Sequence, residues 1–189
     1  EAPMEAEGAA AVMCSRGDVA AVASQDWDTL LYGSPVMVRN LTSHGTRRFG
    51  RVMSAERIVL SKTLESNGIT REQLVDLGIM VGTDFHPGIK GIGPKTGLKL
   101  MKKHGTMEAV AEAKGFELPE NLEGIRSLFM EHPAGNQALP EPKRAVEEDL
   151  RSFLQEERGF SERRLERALS RLAEAGRLKS SSQPSLFDF

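Results

Sequence analysis

The centre of the chain reads Gly88-Ile89-Lys90-Gly91-Ile92-Gly93-Pro94, and a helical pattern lies on each side of it. Before this run, Thr70 and Gln73 form a capping box, which predicts a helix that Gly82 ends. After it, Pro94 fits the first turn of a second helix, which ends at Gly105. The sequence therefore predicts two helices joined by a glycine-rich hairpin.

Positive charge is concentrated around this hairpin. Residues 85–107 contain five lysines and no acidic residue, although the whole chain has a formal net charge of -2. The glycines let the backbone pass close to a ligand, and the helix N-terminus at Pro94 offers unpaired N–H groups to an anion. We interpret the combination as a helix-hairpin-helix that holds a phosphate backbone without reading bases; a solvated lysine face beside an ordinary turn is the alternative. The candidate contact residues are Gly88, Lys90, Gly91, Gly93, Lys95, Lys99, Lys102 and Lys103.

The apolar spacing of the two helices predicts which faces are buried. In the first helix this face comprises Leu74, Leu77 and Val81. In the second it comprises Leu98 and Met101, while three of the lysines share the other face at spacings of four and seven residues.

The first part of the chain has the pattern of an α/β sheet. A helix over residues 5–16 precedes the apolar run 19–23, which is typical of a buried parallel strand, although periodicity alone also allows a helix segment. Residues 35–41 give a second strand, and a helix alternating with strands indicates a layered α/β fold. From about residue 54 the pattern becomes helical, with further helices expected at about 142–158 and 162–175. We therefore expect three parts, residues 1–55, 56–176 and a flexible tail, 177–189.

Composition excludes several classes of protein. With 189 residues, 39% of them hydrophobic, the chain can bury an ordinary core, so we expect neither a disordered nor a fibrous protein. No apolar run approaches the roughly 18 residues that a membrane-spanning helix needs, so we expect no membrane partner. Cys14 is the single cysteine, which excludes an internal disulfide framework and fits a buried thiol. These features favour an intracellular protein, cytoplasmic or nuclear.

Acidic residues form a second constellation. Asp26 and Asp28 follow the first predicted strand at its carboxyl end, where open α/β sheets place their ligands. Glu5 and Glu7 open the helix that leads to this strand, and Asp84 precedes the hairpin. Carboxylates brought together would repel one another unless divalent cations shared them, and oxygen ligands favour Mg²⁺ or Mn²⁺. Two such ions would serve phosphodiester hydrolysis. The spacing of the acidic residues alone also fits pairs on a solvated surface. We expect Trp27, between the two aspartates, to be a packing residue.

The chain resembles the C-terminal portion of an archaeal or eukaryotic flap endonuclease, a structure-specific 5′ nuclease. Three segments carry the resemblance in order: Ala2-Pro3-Met4-Glu5-Ala6-Glu7, Ser24-Gln25-Asp26-Trp27-Asp28, and Val81-Gly82-Thr83-Asp84 followed by the hairpin through Lys95. It implies part of a parallel-sheet, PIN-like nuclease domain followed by the helix-two-turn-helix of that family. It also implies that Glu5, Glu7, Asp26, Asp28 and Asp84 are catalytic ligands of two Mg²⁺ or Mn²⁺ ions.

The same resemblance implies several partners. The hairpin would grip branched duplex DNA beside a 5′ flap, with a K⁺ ion on backbone carbonyls near residues 88–92. The tail resembles a motif that binds the sliding clamp PCNA, through Gln183, Leu186, Phe187 and Phe189, although the chain stops at its first aromatic position. The family's remaining aspartates, basic residues and helical arch belong to sequence before residue 1, which implies a preceding or separate N-terminal half.

We therefore predict the C-terminal part of a Mg²⁺-dependent 5′ flap endonuclease and 5′-3′ exonuclease of DNA replication and repair, whose N-terminal half is missing here and whose activity depends on the complete protein. A non-catalytic DNA-binding module tethered to the sliding clamp is the alternative. A related nuclease that acts on RNA is a third possibility.

Overall fold

The computed structural model describes residues 2–43, 45–48, 50–136, 138, 143–176 and 178–179. The chain divides into two compact units, Glu1–Leu139 and Pro140–Phe189. The predicted boundary at residue 55 stays a prediction, and residues on both sides of it share one hydrophobic core. The clamp-motif residues Gln183, Leu186, Phe187 and Phe189 lie outside the described part of the chain.

A three-stranded mixed sheet forms the first part of unit 1. Helix α1 (Ala6–Ser15) leads to strand β1 (Val22–Ala23), and helix α2 (Asp28–Leu31) leads to β2 (Val36–Arg39). The strand order is β1-β2-β5, with β1 parallel and β5 (Glu56–Val59) antiparallel to β2. The α/β class is thus confirmed, but the sheet is only partly parallel. Strand β5 lies where we expected helices. Its two charged residues followed by two apolar ones lack the alternation of a strand, so pairing with β2 decides its conformation.

Shorter elements connect the sheet strands. After β2 come a 3-10 turn at Leu41–Ser43 and a hairpin of β3 (Arg47–Arg48) and β4 (Arg51–Val52). The first strand has two residues instead of the five predicted, and Val22 pairs with Met37, whose side chain is fully buried. Cys14 is buried, as expected.

Helices form the rest of unit 1, and the capping box is confirmed. The Thr70 hydroxyl accepts a hydrogen bond from the Gln73 N–H at 3.3 Å, and the Gln73 side chain accepts one from the Thr70 N–H at 2.9 Å. Gly82 ends the helix that follows. The helices are α3 (Leu60–Asn67), α4 (Arg71–Val81), α5 (Pro94–His104), α6 (Met107–Lys114) and α7 (Leu122–Met130), with a 3-10 turn at Pro133–Asn136.

The buried face of α4 differs from the predicted one. Val75, Ile79 and Met80 are almost completely buried, whereas Leu74, Leu77 and Val81 are only partly buried. Helix α4 packs against α2, α5, α6 and α7, so it has apolar neighbours on several sides and its sequence does not select one face. In α5, Met101 is buried as predicted. The other buried leucine is Leu100, whereas the predicted Leu98 is only half-buried.

A buried ion pair crosses this helical part. Asp76 of α4 is 6% exposed and accepts two hydrogen bonds from Arg126 of α7, at 2.7 and 2.8 Å. The backbone N–H of Met107, the first residue of α6, donates a third at 3.2 Å. The hydrogen bonds that Arg126 donates to Asp76 and Glu108 raise the pKa of its guanidinium further above its usual range. Asp76 therefore joins three helices through one buried carboxylate.

Unit 2 is smaller. Strand β6 (Ala145–Val146) pairs in parallel with β7 (Leu178–Lys179), so the predicted helix begins later, as α8 (Glu147–Arg151). It continues as a π-helical turn, Ser152–Glu157. Helix α9 (Glu162–Glu174) matches its predicted range and buries Leu165 and Leu169. Its N-cap residue, Ser161, makes no side-chain capping hydrogen bond. No helix within the described residues is long and apolar enough to cross a bilayer.

Candidate metal and nucleic-acid site

The first two acidic residues lie at the start of α1. Glu5 precedes the helix in an extended conformation, and its carbonyl accepts the hydrogen bond of the Ala9 N–H at 3.1 Å. Glu7 lies in the first turn, where the helix dipole favours negative charge. The Ser24 hydroxyl lies 3.5 Å from the Glu7 carboxylate, to which it donates. Ser24 follows β1, so this contact links the helix start to the carboxyl end of the strand.

Asp26 and Asp28 are held by a turn after β1. The Asp26 N–H donates to the Ser24 hydroxyl at 3.1 Å, and the Asp28 N–H donates to the Asp26 carboxylate at 3.0 Å. Side-chain oxygens that accept backbone N–H groups two residues on are typical of Asx and Ser turns. Asp28 is then the first residue of α2. The turn therefore presents both carboxylates on the side of the sheet that Glu7 occupies.

Asp84 comes from a segment that is distant in sequence from the other four carboxylates. It lies after α4, between Thr83 and His86, which pair by a hydrogen bond of 2.8 Å from the Thr83 N–H to the His86 carbonyl. The structure brings this residue together with the other four: one cleft is lined by Glu5, Glu7, Asp26, Asp28, Tyr32, Asp84 and Phe85. The predicted convergence of the five carboxylates thus occurs, while their role as metal ligands stays a prediction.

The cleft has the electrostatics of a crowded acidic site. Partial burial raises the pKa of Asp28 to about 6, and the charges of Asp26, Asp84, Glu7 and Glu5 contribute in that order. Repulsion of this kind is relieved when a cation neutralises the group. Within the described residues, no three His, Cys, Asp or Glu side chains are close enough together to hold an ion as they stand. The donors that line the cleft are nevertheless carboxylate oxygens, which suit Mg²⁺ or Mn²⁺.

The hairpin between α4 and α5 begins a few residues after Asp84. Gly88 has a φ of +83°, and a Cβ there would lie 2.5 Å from the backbone carbonyl oxygen of Val81. Gly91 also has a left-handed φ, +86°, but open space surrounds its Cα. Gly88 therefore allows the loop to pass close to the end of α4, and Gly91 lies on the outside of the turn.

The five lysines predicted to contact phosphate are all exposed. Buried Gly97, Leu100 and Met101 occupy the opposite side of α5. The N-terminus of this helix begins with Gly93 and Pro94, and neither Gly91 nor Gly93 has an atom that would meet an added Cβ. The backbone of the hairpin is thus accessible at Gly91 and Gly93, and the sequence around these glycines carries the five exposed lysines. These are Lys90, Lys95, Lys99, Lys102 and Lys103.

Two residues at or near the cleft escaped the sequence analysis, and a third, Trp27, differs from its expectation. Tyr32 and His132 are buried against each other, with ring centroids 5.4 Å apart, and no motif marks either of them. Trp27 contradicts our expectation that it packs in the core. It is 51% exposed and carries the Arg39 guanidinium 4.2 Å from its ring centroid. Asp26 and Asp28, on either side of Trp27, line the cleft, and the turn that holds them points Trp27 away from it. The apolar character of Trp27 alone did not reveal this orientation.

Comparison with known proteins finds relatives that are flap endonucleases. The family model of the XPG I-region matches residues 1–84. The chain is 45% identical over 178 residues to flap endonuclease 1 of Methanothrix thermoacetophila, covering 91% of this chain and 52% of that protein. The chain thus spans about half the length of the curated relatives it matches.

Solved structures of related nucleases are similar to this chain as well. Flap endonuclease-1 from Methanococcus jannaschii superimposes with a TM-score of 0.71 at 34% identity, over 92% of this chain and 52% of that one. The Holliday junction-resolving enzyme GEN1, solved with product DNA and a Mg²⁺ ion, gives a TM-score of 0.60 at 26% identity, over 82% and 47%. The sequence resemblance to the flap endonuclease family is therefore confirmed, over about half the length of the relatives that carry it.

Proposed function

We propose that this chain is the C-terminal part of a structure-specific nuclease that cuts branched duplex DNA at a 5′ flap, in replication and repair. The observation that carries the proposal is the convergence of five carboxylates from three separate segments in one cleft, beside a glycine-rich hairpin with an exposed lysine face. The relatives named flap endonuclease 1 support the reaction class. GEN1 bound to product DNA and Mg²⁺ supports a metal-dependent reaction.

The carboxylates would hold two Mg²⁺ or Mn²⁺ ions. Glu5 and Glu7 would approach them from α1, Asp26 and Asp28 from the turn after β1, and Asp84 from the loop after α4. Bound there, such ions activate a water molecule and stabilise the oxygen that leaves the phosphodiester. The chain's own contribution is to hold Glu5 and Glu7 at a helix start, and Asp26 and Asp28 in a hydrogen-bonded turn.

The hairpin would hold the duplex beside the cut site. Backbone N–H groups at the start of α5 and the exposed lysines would contact phosphates, which positions the duplex without selecting a sequence. We place a K⁺ ion on backbone carbonyls near residues 88–92 as part of the same contact. The family resemblance supports this ion, together with the close approach of Gly88 to the Val81 carbonyl.

Further elements of the proposal concern the complete protein. We propose 5′-3′ exonuclease activity, binding to the sliding clamp PCNA through the tail, and an N-terminal half that completes the active site. Their support is the family resemblance, since the matched relatives are about twice as long as this chain. We also propose an intracellular location, archaeal cytoplasm or eukaryotic nucleus, because replicating DNA, the proposed substrate, is found there.

The test is a cleavage and binding assay on a labelled 5′-flap DNA, with and without an N-terminal half, over a Mg²⁺ titration. The double variant Asp26→Ala/Asp28→Ala is expected to lose Mg²⁺-dependent cleavage and to keep nearly all its DNA affinity. The variant Glu112→Ala/Glu117→Ala makes the same charge change at exposed positions outside the cleft, and is expected to cleave normally.

The outcomes separate the proposal from its alternatives. Equal loss of cleavage and affinity in the aspartate variant contradicts the metal role. Salt-sensitive binding without cleavage, even when the N-terminal half is present, supports the non-catalytic module. Faster cleavage of a flap RNA than of the matching flap DNA supports the RNA-directed nuclease.

A further inference from the structure

The hydroxyl of Tyr32 is a buried polar group at the edge of the acidic cleft. Tyr32 follows α2, where its N–H donates to the Asp28 carbonyl at 2.9 Å, and its side chain is only 5% exposed. Within the described residues the hydroxyl has no hydrogen-bond partner, yet Tyr32 lines the cleft. A buried tyrosine hydroxyl normally finds a partner, because leaving it unpaired costs the free energy of its desolvation. A partner is therefore expected on the side where the cleft opens.

The surroundings of the Tyr32 ring limit which group can be the hydrogen-bond partner of its hydroxyl. Phe129 and His132 pack against the ring with centroids 4.9 and 5.4 Å away, so this part of its environment is aromatic. The cleft side carries carboxylates, and after burial the charge of Glu5, followed by that of Asp28, contributes most to raising the pKa of Tyr32. A phenol is protonated at neutral pH, so towards a carboxylate it acts as a hydrogen-bond donor.

His132 packs between the Tyr32 ring and helix α1. Its Nδ1 accepts a hydrogen bond from the Ala134 N–H at 3.2 Å, and its ring lies directly over Gly8. A Cβ at position 8 would be 2.3 Å from the His132 Cδ2 atom. Gly8 thus provides the space for the imidazole within a few residues of Glu5 and Glu7. The position of the Tyr32 ring therefore depends on a glycine in the first helix.

We propose that Tyr32 is a positioning residue whose hydroxyl donates a hydrogen bond to a carboxylate of the cleft and fixes its orientation towards the metal ions. His132, seated on Gly8, keeps the tyrosine ring in place. The inference rests on the proposed function, since it assigns the carboxylates to metal binding. Groups that hold metal ligands in this way typically change metal affinity by about 10- to 100-fold when they are removed.

The first experiment compares two variants that each delete one buried, unpaired hydroxyl. Tyr32→Phe removes the hydroxyl that borders the cleft; Thr29→Val removes that of Thr29, which is fully buried in α2 and does not line the cleft. Mg²⁺ affinity of the 189-residue chain is measured by isothermal titration calorimetry, and stability by urea unfolding. We expect Tyr32→Phe to weaken Mg²⁺ binding about tenfold and Thr29→Val to leave it unchanged. Equal Mg²⁺ affinities in the two variants would overturn the inference.

The second experiment reads the hydrogen bond without any metal. Tyr32 is the single tyrosine of the chain, so the tyrosine doublet in its Raman spectrum reports this hydroxyl alone. We expect the band ratio of a strong donor in the metal-free protein, and a weaker signature in Gly8→Ala, whose Cβ displaces His132. The ratio of an unbonded hydroxyl contradicts the inference even if Mg²⁺ binds. A wild-type chain that binds no Mg²⁺ even when the N-terminal half is present contradicts the proposed function instead, and the Raman spectrum then still decides whether Tyr32 donates.

Discussion

Two glycines of the hairpin should respond very differently to the same substitution. Gly88 and Gly91 have nearly equal left-handed φ angles, +83° and +86°. An alanine in this region costs about 1–2 kcal/mol of backbone energy at either position. At Gly91 nothing lies within 4 Å of the added Cβ, so strain is the whole cost, and we expect Gly91→Ala to lower the free energy of unfolding by about 1 kcal/mol.

Gly88→Ala adds a steric cost to this strain. Its Cβ would lie 2.5 Å from the carbonyl oxygen and 2.7 Å from the carbonyl carbon of Val81, which are backbone atoms at the end of α4. They cannot rotate away as a side chain would, so the loop or the helix end must shift. Forced shifts of packed atoms cost about 1–3 kcal/mol, which brings the expected total to about 2–5 kcal/mol.

Urea unfolding followed by far-ultraviolet circular dichroism measures the difference between these two variants. Because the hairpin is the proposed duplex contact, the affinity of the two variants for flap DNA should fall in the same order. Equal losses of stability for Gly88→Ala and Gly91→Ala would refute the reasoning, since they would show that the approach to Val81 imposes no constraint.

Three further predictions concern the lysine face and the two cores. Replacing Lys95, Lys99 and Lys102 by Ala should reduce the slope of log affinity against log salt for duplex DNA by about 3, as measured by fluorescence anisotropy; an unchanged slope would mean that this face does not contact phosphates. Asp76→Ala leaves the Arg126 guanidinium without its buried partner and should lower the free energy of unfolding by about 2–4 kcal/mol, less if Glu108 and Glu123 compensate. Leu165→Ala truncates a fully buried side chain of unit 2 and should cost this unit about 2–4 kcal/mol in thermal or urea unfolding, and a loss below 1 kcal/mol would contradict the packing of α9.

Local signals were sufficient for several elements of the fold. The capping box at Thr70 and Gln73, the proline at the start of α5 and the glycine that ends it act within one turn, so their neighbours in sequence determine them. The exposure of the hairpin lysines also followed from local pattern, because a charged side chain is rarely buried without a partner. Pattern was less informative for α4, whose apolar residues occur on several sides and whose buried face depends on which helices surround it.

Both the local sequence and the tertiary structure determine the acidic cleft. The sequence alone supplied the residue types and placed Asp26 and Asp28 after a strand, which predicted the edge of the sheet where they lie. Only the tertiary structure brings Asp84 to the same cleft, since more than fifty residues separate it from Asp28 and the intervening helices must pack before the two can approach. Tyr32, His132 and Gly8 carry no motif at all. Their importance arises from a contact between α1 and the segment after α7, and such non-local packing becomes visible only when the chain is folded.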